Sequence, residues 1–394
     1  MDGPIRGSVA SPLAGLFPKP RIGVSLLFLM NGFMIGSWAP KIPEFATRLA
    51  LTEGQLGLMI LTFGIGSLVM MPLGGAQIAR HGSMLVAKVL AICLVPTLLF
   101  VSLAGNAWLG AASMFLFGGF AGAMDVAMNA NAVEVEKSMR RSIMSSCHAF
   151  WSLGGLIGAG IGGFVIAHAG VMTHAFLLTA LAAAMLAIAW PMVLKDQPHP
   201  GEDKPKAKLP MTPLPWLIGI VALFCMVPEG SILDWGALYL RKELGASVTL
   251  SGFAYAAFSL TMAIMRFAGD LLRDRLGAVR TMRISAVLAI IGMTMAGLAP
   301  NAATVIIGFA IAGIGISNMV PIAFSAAGNM PGLAPGVGIS VATFLGYSGM
   351  LFAPSLIGFV AEHTGFAVVF LALPVLFIVV LILSNLARHA DSIK

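Results

Sequence analysis

The sequence predicts an all-α integral membrane protein with twelve transmembrane helices in two pseudo-symmetric six-helix bundles. Composition is the first observation: 58% of the 394 residues are apolar and 10% are charged, with a mean hydropathy of +0.95. The second is that apolar runs of about 20 residues, the length that crosses ~30 Å of hydrocarbon as a helix, recur along the chain. The third is an internal repeat, described below. Because lipid offers the backbone no hydrogen-bond partner, each run must cross as a helix.

The predicted spans are separated by short polar or Gly/Pro turns. They are 22–46, 53–79, 83–104, 107–136, 142–168, 171–194, 213–240, 248–275, 278–299, 302–329, 336–362 and 366–388. The first 20 residues carry Arg6, Lys19 and several prolines, but no apolar stretch ending in a small-residue cleavage site. We therefore interpret them as a tail and not as a cleaved signal.

The basic residues predict the orientation. Most of the 23 fall in loops on the side of the N-terminus, whereas Lys41, Arg48, Arg241 and Lys242 fall on the other side. Since short cytoplasmic loops retain positive charge, a multi-pass protein of the inner membrane with both ends in the cytoplasm is expected. The predicted organisation is a tail (1–21), a six-helix bundle (22–194), a polar, proline-rich linker (195–212), a second bundle (213–388) and a tail (389–394).

Charge and motif content exclude several functions. The net charge is +7, but the basic residues are dispersed over separate loops, so no nucleic-acid partner is expected. Cys93, Cys147 and Cys225 are odd in number and lie in predicted spans, which implies no disulfide framework. Without a Walker loop, metalloprotease helix or nucleophile elbow, we expect no enzyme activity, no cofactor and no metal. The expected partners are the bilayer, protons and a small-molecule substrate, and the expected state is a monomer.

The chain repeats itself at a spacing of 195 residues. Residues 163–170 read GFVIAHAG and residues 358–365 read GFVAEHTG. The same spacing joins Gly57 to Gly252, Met70 to Met265, Arg80 to Arg275, and Ser145 to Ser340, among other pairs. A duplicated six-helix unit explains this register. Because six is even, the two copies run parallel, and they should enclose a cavity near mid-membrane.

The loop GDLLRDRLGAVR at 269–280 resembles the inner-loop signature of the major facilitator superfamily through Asp274, Arg275 and Gly277. It departs from the signature at Asp270, which takes the glycine position, and the loop GAQIARHG at 75–82 has Ala79 where the acid belongs. The resemblance implies the major facilitator fold and an inner gate latched by that acid, here in the second half alone.

A finer resemblance is to the MosC-like, or rhizopine-transporter-like, branch of the superfamily. It is carried by SWAPKIPEF (37–45), DVAMNANAVEVE (125–136), HAFWSLGGLIGAG (148–160), PEGSILDW (228–235) and MRFAGDLLRDR (265–275). The branch name implies polyol-like substrates.

Acids placed deep in the predicted spans are candidates for proton coupling, because an ionisable group away from water is costly unless it faces a wet cavity or a partner. They are Asp125 and Glu229, the latter next to Pro228. Candidates for substrate binding are the polar and aromatic residues expected to line the cavity: Asn31, Trp38, Asn129, His148, Trp151, Asp234, Tyr255, Asn318, Thr343 and Tyr347. Each has a structural alternative, since acids and amides also bond between helices, a lone imidazole often bonds a carbonyl, and indoles line membrane interfaces.

A charged ladder at the inner end of the eighth span is the candidate gate. Arg266, Asp270 and Asp274 follow one another at i, i+4 and i+8, a spacing that allows salt bridges along one helix face. Arg275 completes this gate set.

The predicted function is secondary active transport of a small polar solute, polyol- or sugar-like, by alternating access with proton coupling. The alternative is a proton-antiport exporter of amphiphilic compounds or drugs, because GMLFAPSLIG from Gly349, with Pro354, is similar to an antiporter signature. The same small residues also suit close helix packing. For a third class of protein, a membrane sensor or enzyme, the sequence contains no characteristic motif. We expect the polar candidate lining to favour a hydroxylated ligand.

Overall fold

The structure, a computed structural model, describes residues 18–139, 143–196, 212–330 and 337–391. Within these ranges the regular elements are all helical. The first half contains α1 (Lys19–Trp38), α2 (Ile42–Arg48), α3 (Glu53–His81), α4 (Ser83–Leu94), α5 (Thr97–Leu103), α6 (Ala107–Met139) and α7 (Met144–Ala189). A 3₁₀ turn, Ala39–Lys41, joins α1 to α2.

The second half begins at Pro213 and repeats the plan. It contains α8 (Pro213–Lys242), α9 (Val248–Leu276), α10 (Ala278–Gly297), α11 (Ala302–Ile316), α12 (Met319–Gly328), α13 (Val337–Thr364), α14 (Phe366–Ala372) and α15 (Pro374–Leu383). A 3₁₀ segment, Ser384–Asp391, follows. We call the face at which α1 begins the tail side, and the opposite face the far side.

Eleven helical segments among the described residues are long and apolar enough to cross a membrane. The longest, Ser146–Ala189, has 44 residues, about twice the length that one crossing needs. Gly170 interrupts it with φ 83° and ψ 167°, a backbone conformation that favours glycine. Division of α7 at Gly170 gives the two separate spans that the sequence predicts there.

Four predicted spans are not continuous α-helices. The span predicted at 22–46 is interrupted by the 3₁₀ turn Ala39–Lys41, which contains Pro40. The span predicted at 83–104 breaks between α4 and α5, beside Pro96. The spans predicted at 302–329 and 366–388 break near Pro321 and Pro374. Each proline beside a break lacks the backbone N–H that would bond to the preceding turn, which favours a break there, although Pro72, Pro228 and Pro354 lie within continuous helices.

Helix starts in the two halves use matching caps. The side chains of Thr52 and Ser247, 195 positions apart, accept hydrogen bonds from backbone N–H groups three residues on, at 3.3 and 3.2 Å. Asn106 and Asn301 do the same for the next helices on the far side, at 2.9 and 3.0 Å. Such caps satisfy backbone donors that lack a partner in the first turn. The internal repeat therefore extends to the side-chain hydrogen bonds that cap the starts of these helices.

Two aspartates cap helices on the tail side. Asp196 accepts hydrogen bonds from the backbone N–H groups of Ser83 and Met84, at 2.6 and 2.9 Å. Asp391, again 195 residues later, accepts from Ala278 at 2.9 Å. A carboxylate is favourable at the positive end of a helix. These caps tie the end of each half back to the tail-side start of its third crossing.

Glycine contacts pack helices within each half. A β-carbon on Gly118 of α6 would collide with the Phe63 carbonyl of α3, and one on Gly313 of α11 would lie 2.5 Å from the Phe258 carbonyl of α9. Gly154 of α7 likewise leaves no room for a side chain against α1. Small residues thus let these backbones approach closely.

Two pairs of long helices, α3 with α13 and α7 with α9, form the main contacts between the halves. Gly57 of α3 lies against the Pro354 carbonyl, where an added β-carbon would stand 2.8 Å away. Gly163 of α7 similarly meets Gly252 of α9, at 3.1 Å. Both contacts lie toward the far side, which holds the halves together there.

Candidate functional site

Asp125 of α6 is the acid that the first half contributes to the centre. The Asn129 amide, one turn further along, donates to the Asp125 carboxylate at 3.2 Å and to its backbone carbonyl at 2.8 Å. The two side chains therefore share one helix face, as their spacing predicts. Among the described residues, no cation lies within ion-pair distance of Asp125.

Glu229 of α8 and Arg266 of α9 form an ion pair. The distance from Arg266 Nη2 to Glu229 Oε1 is 3.6 Å, and the two side chains are 15% and 20% exposed. Arg266 Nη1 also donates to Ser152 Oγ of α7 at 2.8 Å. Arg266 thus connects an acid of the second half to a hydroxyl of the first half.

A largely buried guanidinium needs a buried acceptor, and Glu229 on the neighbouring helix supplies one to Arg266. The ladder predicted from Arg266 to Asp270 and Asp274 falls on acids whose side chains lie outside the described ones, so it stays a prediction. Arg275, the fourth gate candidate, is exposed near the tail side.

Tyr347 of α13 connects the two acids in space. Its side chain is 37% exposed and lies near enough to Asp125 and Glu229 to interact electrostatically with both carboxylates. One acid from each half therefore borders the same central region. Thr343, one turn before Tyr347, has a side chain outside the described ones.

Tyr255 and His148 lie around the Arg266 ion pair. Tyr255 of α9 is buried against Gly155 of α7, within electrostatic range of Glu229, Arg266 and Asp234. His148 stands edge-on to Phe28 with ring centroids 5.2 Å apart, and it lies within range of the Arg266 charge. The ion pair is thus surrounded by polar groups from both halves.

Asn31 and Trp151 bond to each other across α1 and α7. Trp151 Nε1 donates to Asn31 Oδ1 at 2.9 Å, and Asn31 Nδ2 donates to the Ala121 carbonyl of α6 at 3.1 Å. Asn318 similarly donates to the Met265 carbonyl at 3.3 Å. These amides join helices next to Asp125 and Arg266, which is the interhelical alternative stated for them above.

Trp38 and Asp234 lie toward the far side. Trp38 is buried and packs edge-on against Phe45, with ring centroids 5.3 Å apart. Asp234 is buried beside Trp235, which packs against Phe366. Among the described residues, neither Trp38 nor Asp234 is hydrogen-bonded or ion-paired to Arg266 or Glu229. In the described ranges, no group of three His, Cys, Asp or Glu side chains could hold a metal.

A far-side seam between α3 and α13 was missed by the sequence analysis. Glu362 of α13 accepts hydrogen bonds from the Gly54 backbone N–H at 2.9 Å and from Thr52 Oγ1 at 3.1 Å. Lys242 pairs with Glu53. Each contact joins the two halves on the far side. Two features of the sequence could have predicted this seam. Glu362 is an acid at the end of one predicted span, and Thr52 is a helix-capping residue at the start of another.

Comparison with known families decides the identity. Residues 24–235 and 220–392 match the family model of the Major Facilitator Superfamily. The chain belongs to the major facilitator superfamily. This superfamily member is 32% identical over 355 residues to an uncharacterised MFS-type transporter of Yersinia pestis, with 89% of this chain and 91% of that protein covered. It is 32% identical over 361 residues to the membrane protein MosC of Rhizobium meliloti, with 90% and 88% covered.

Solved structures share the fold of this superfamily member. The nucleoside transporter NupG aligns with a TM-score of 0.69 and 13% identity, over 94% of this chain and 99% of that one. The human organic anion transporter TETRAN aligns with a TM-score of 0.66 and 16% identity, over 93% and 100%. The predicted major facilitator fold, the superfamily and the MosC-like branch are confirmed. The protein is a multi-pass membrane transporter.

Proposed function

We propose that this transporter is secondary active, moving a small polar solute, polyol- or sugar-like, by alternating access with proton coupling. The carrying observation is that Arg266 of the second half pairs with Glu229 of the same half and donates a hydrogen bond to Ser152 of the first half. A central region bordered by both halves changes its access when the halves rock. Coupling requires that the proton and the solute each bind the two states unequally.

We assign proton binding first to Asp125 and conformational linkage to Glu229 with Arg266. In the described conformation Glu229 faces a guanidinium, whereas Asp125 faces the neutral Asn129 amide. The Arg266 hydrogen bond to Ser152 crosses between the halves. A rocking motion that separates α7 from α9 at this level must break that bond and leave Arg266 to Glu229 alone.

We interpret the described conformation as one of the two states that alternating access requires. The far side is closed by Glu362 on Gly54, by Lys242 on Glu53 and by Ser355 on the Gly57 carbonyl, the last at 3.1 Å. We take this as the state in which the centre communicates with the tail side. We further place the protein in the inner membrane as a monomer, with the tail side cytoplasmic. Labelling of single cysteines in whole cells checks that orientation.

Proteoliposomes loaded with a pH-sensitive dye test the function. We expect inositol, sorbitol, mannitol or glucose to trigger a pH change in vesicles with the wild-type protein, and Asp125→Asn to abolish it while solute exchange continues. The matched control is Asn106→Asp, an added acid on the far side. The absence of any pH change with solute transport intact contradicts the coupling. The absence of transport for every polyol and sugar contradicts the solute class.

The exporter alternative rests on the antiporter-like stretch around Pro354. In the structure the Pro354 carbonyl and Ser355 lie against Gly57, a contact that supports the packing interpretation of this stretch. Lipophilic cations in the same vesicle assay distinguish the two functions. A pH change with these cations, and none with polyols, favours the exporter.

A further inference from the structure

A buried lysine in the first half forms no ion pair with any carboxylate among the described residues. Lys41, in the turn between α1 and α2, is 1% exposed. Its ammonium donates to Ser102 Oγ at 2.7 Å and to the Val171 carbonyl at 3.4 Å. In the described part of the chain, no carboxylate lies within ion-pair distance of it. A buried ammonium is costly unless charge and hydrogen bonds compensate it.

The two groups that accept hydrogen bonds from Lys41 carry no negative charge. The Ser102 hydroxyl already donates to the Leu98 carbonyl at 2.8 Å, so its oxygen only accepts from Lys41. Glu44 acts on Lys41 through space, but its carboxylate is bonded to Arg48 Nε at 2.8 Å. An ammonium has three donors, and one of those on Lys41 is therefore unused.

The imidazole of His174 is a second buried polar group near Lys41 whose hydrogen bonds are incomplete. The residue lies in the first turn after Gly170, is 3% exposed, and has a buried Nδ1 without a hydrogen-bond partner. Its ring packs with Pro40, the neighbour of Lys41, against Gly162. Lys41 acts electrostatically on this ring. A cation and an imidazole thus meet at a helix start, where backbone N–H groups add positive potential.

We propose that Lys41 and His174 hold a small monovalent inorganic anion, with chloride as the simplest occupant. The anion would neutralise the ammonium, accept its third hydrogen and accept the N–H of a neutral His174. Lys41 lies in the turn after α1, Ser102 on α5, and Val171 and His174 on the part of α7 after Gly170. An anion bound to Lys41 and His174 would therefore strengthen the connection between these three segments. The site is distinct from the central acids and independent of the transported solute.

Thermal unfolding in detergent at constant ionic strength and pH tests this proposal. Replacing gluconate by chloride should raise the Tm of the wild type saturably, by on the order of a few degrees. Lys41→Met should abolish the rise. The matched control is Lys88→Met, which removes another buried lysine, one that lies 4.8 Å from the Trp190 ring. That variant should keep the full chloride effect.

His174→Phe provides a second variant in case Lys41→Met does not fold, and it too should lose the chloride effect. Line broadening of the chloride NMR signal by the wild-type protein, reversed by bromide or nitrate, should report binding directly. Equal Tm values in chloride and gluconate would show that water completes the site, and the proposal would be wrong. A chloride effect that survives both Lys41→Met and His174→Phe would place the anion elsewhere and also overturn it.

Discussion

The two halves share their helix-capping residues and differ in the positions of their buried charged residues. Caps at Thr52 and Ser247, at Asn106 and Asn301, and at Asp196 and Asp391 keep one spacing of 195 residues. In the same register, Asp125 corresponds to Val320 and Arg266 to Met71. Duplication thus preserved what makes the helices, while the charges near the centre became different in each half. The asymmetric residues are the ones to test for function.

The largest expected effect comes from making the halves alike at Arg266. Arg266→Met installs the residue that the first half has at Met71, leaves Glu229 without its cation, and removes the bond to Ser152. We expect the free energy of unfolding to fall by about 2 kcal/mol, less than for a fully buried pair because both side chains keep some exposure. Transport should be lost.

Thermal unfolding of Arg266→Met, Glu229→Gln and the double variant measures this pair. The double variant should be more stable than Arg266→Met, since no buried charge is left unpaired. Arg275→Met, at an exposed position, is the control and should unfold like the wild type. Additive losses in the double variant would mean that the pair does not act as a unit.

A glycine pair tests whether the shared packing is equally strict. Gly118→Ala and Gly313→Ala each place a methyl group against a carbonyl of the neighbouring helix, so each should cost about 1–3 kcal/mol of stability. Gly75→Ala is the control, because a β-carbon there meets nothing within 4 Å. Unfolding midpoints in detergent should fall for the first two variants and not for the third. Tolerance in one half alone would show that its helices have drifted apart.

The aspartate caps should contribute similarly in both halves. Asp196→Ala and Asp391→Ala each remove a carboxylate from a helix start, for an expected loss of about 1 kcal/mol. The losses should add in the double variant, because the caps lie in separate bundles. Asp391 also faces Arg273 at 3.7 Å, so an effect much larger than that of Asp196 would assign the difference to this ion pair. The thermal unfolding midpoints of the two single variants and the double variant measure these losses.

The smallest expected effect is at the far-side seam. Glu362→Ala removes the acceptor of the hydrogen bonds from the Gly54 N–H and the Thr52 hydroxyl. Near the surface, these two hydrogen bonds together stabilise the contact by about 1 kcal/mol. The population of far-side-open molecules should rise about fivefold. Alkylation of Ser355→Cys by a membrane-impermeant reagent from the far side measures it. Glu44→Ala, a far-side acid bonded within one half, should leave the alkylation rate unchanged, and a similar rise there would rule out a specific seam.

The fold followed from the sequence because its causes are local. Hydropathy gave the spans, and Thr52, Asn106 and their counterparts mark helix starts by residue type alone. The predicted continuity failed at Pro96, where a donor is missing. The Asp196 and Asp391 caps could have been found, since both keep the 195-residue spacing. No local pattern, however, pairs Arg266 with Glu229, because that contact depends on how α8 and α9 turn toward each other.

The bond from Glu362 to α3 uses a donor that belongs to the main chain. Apart from proline, any residue that replaced Gly54 would still offer that hydrogen, although a side chain there would press on the carboxylate. A substitution at Gly54 would thus displace the acceptor, whereas a substitution at Glu362 would remove it. Persistence of this hydrogen bond through sequence change therefore depends more on Glu362 than on residue 54.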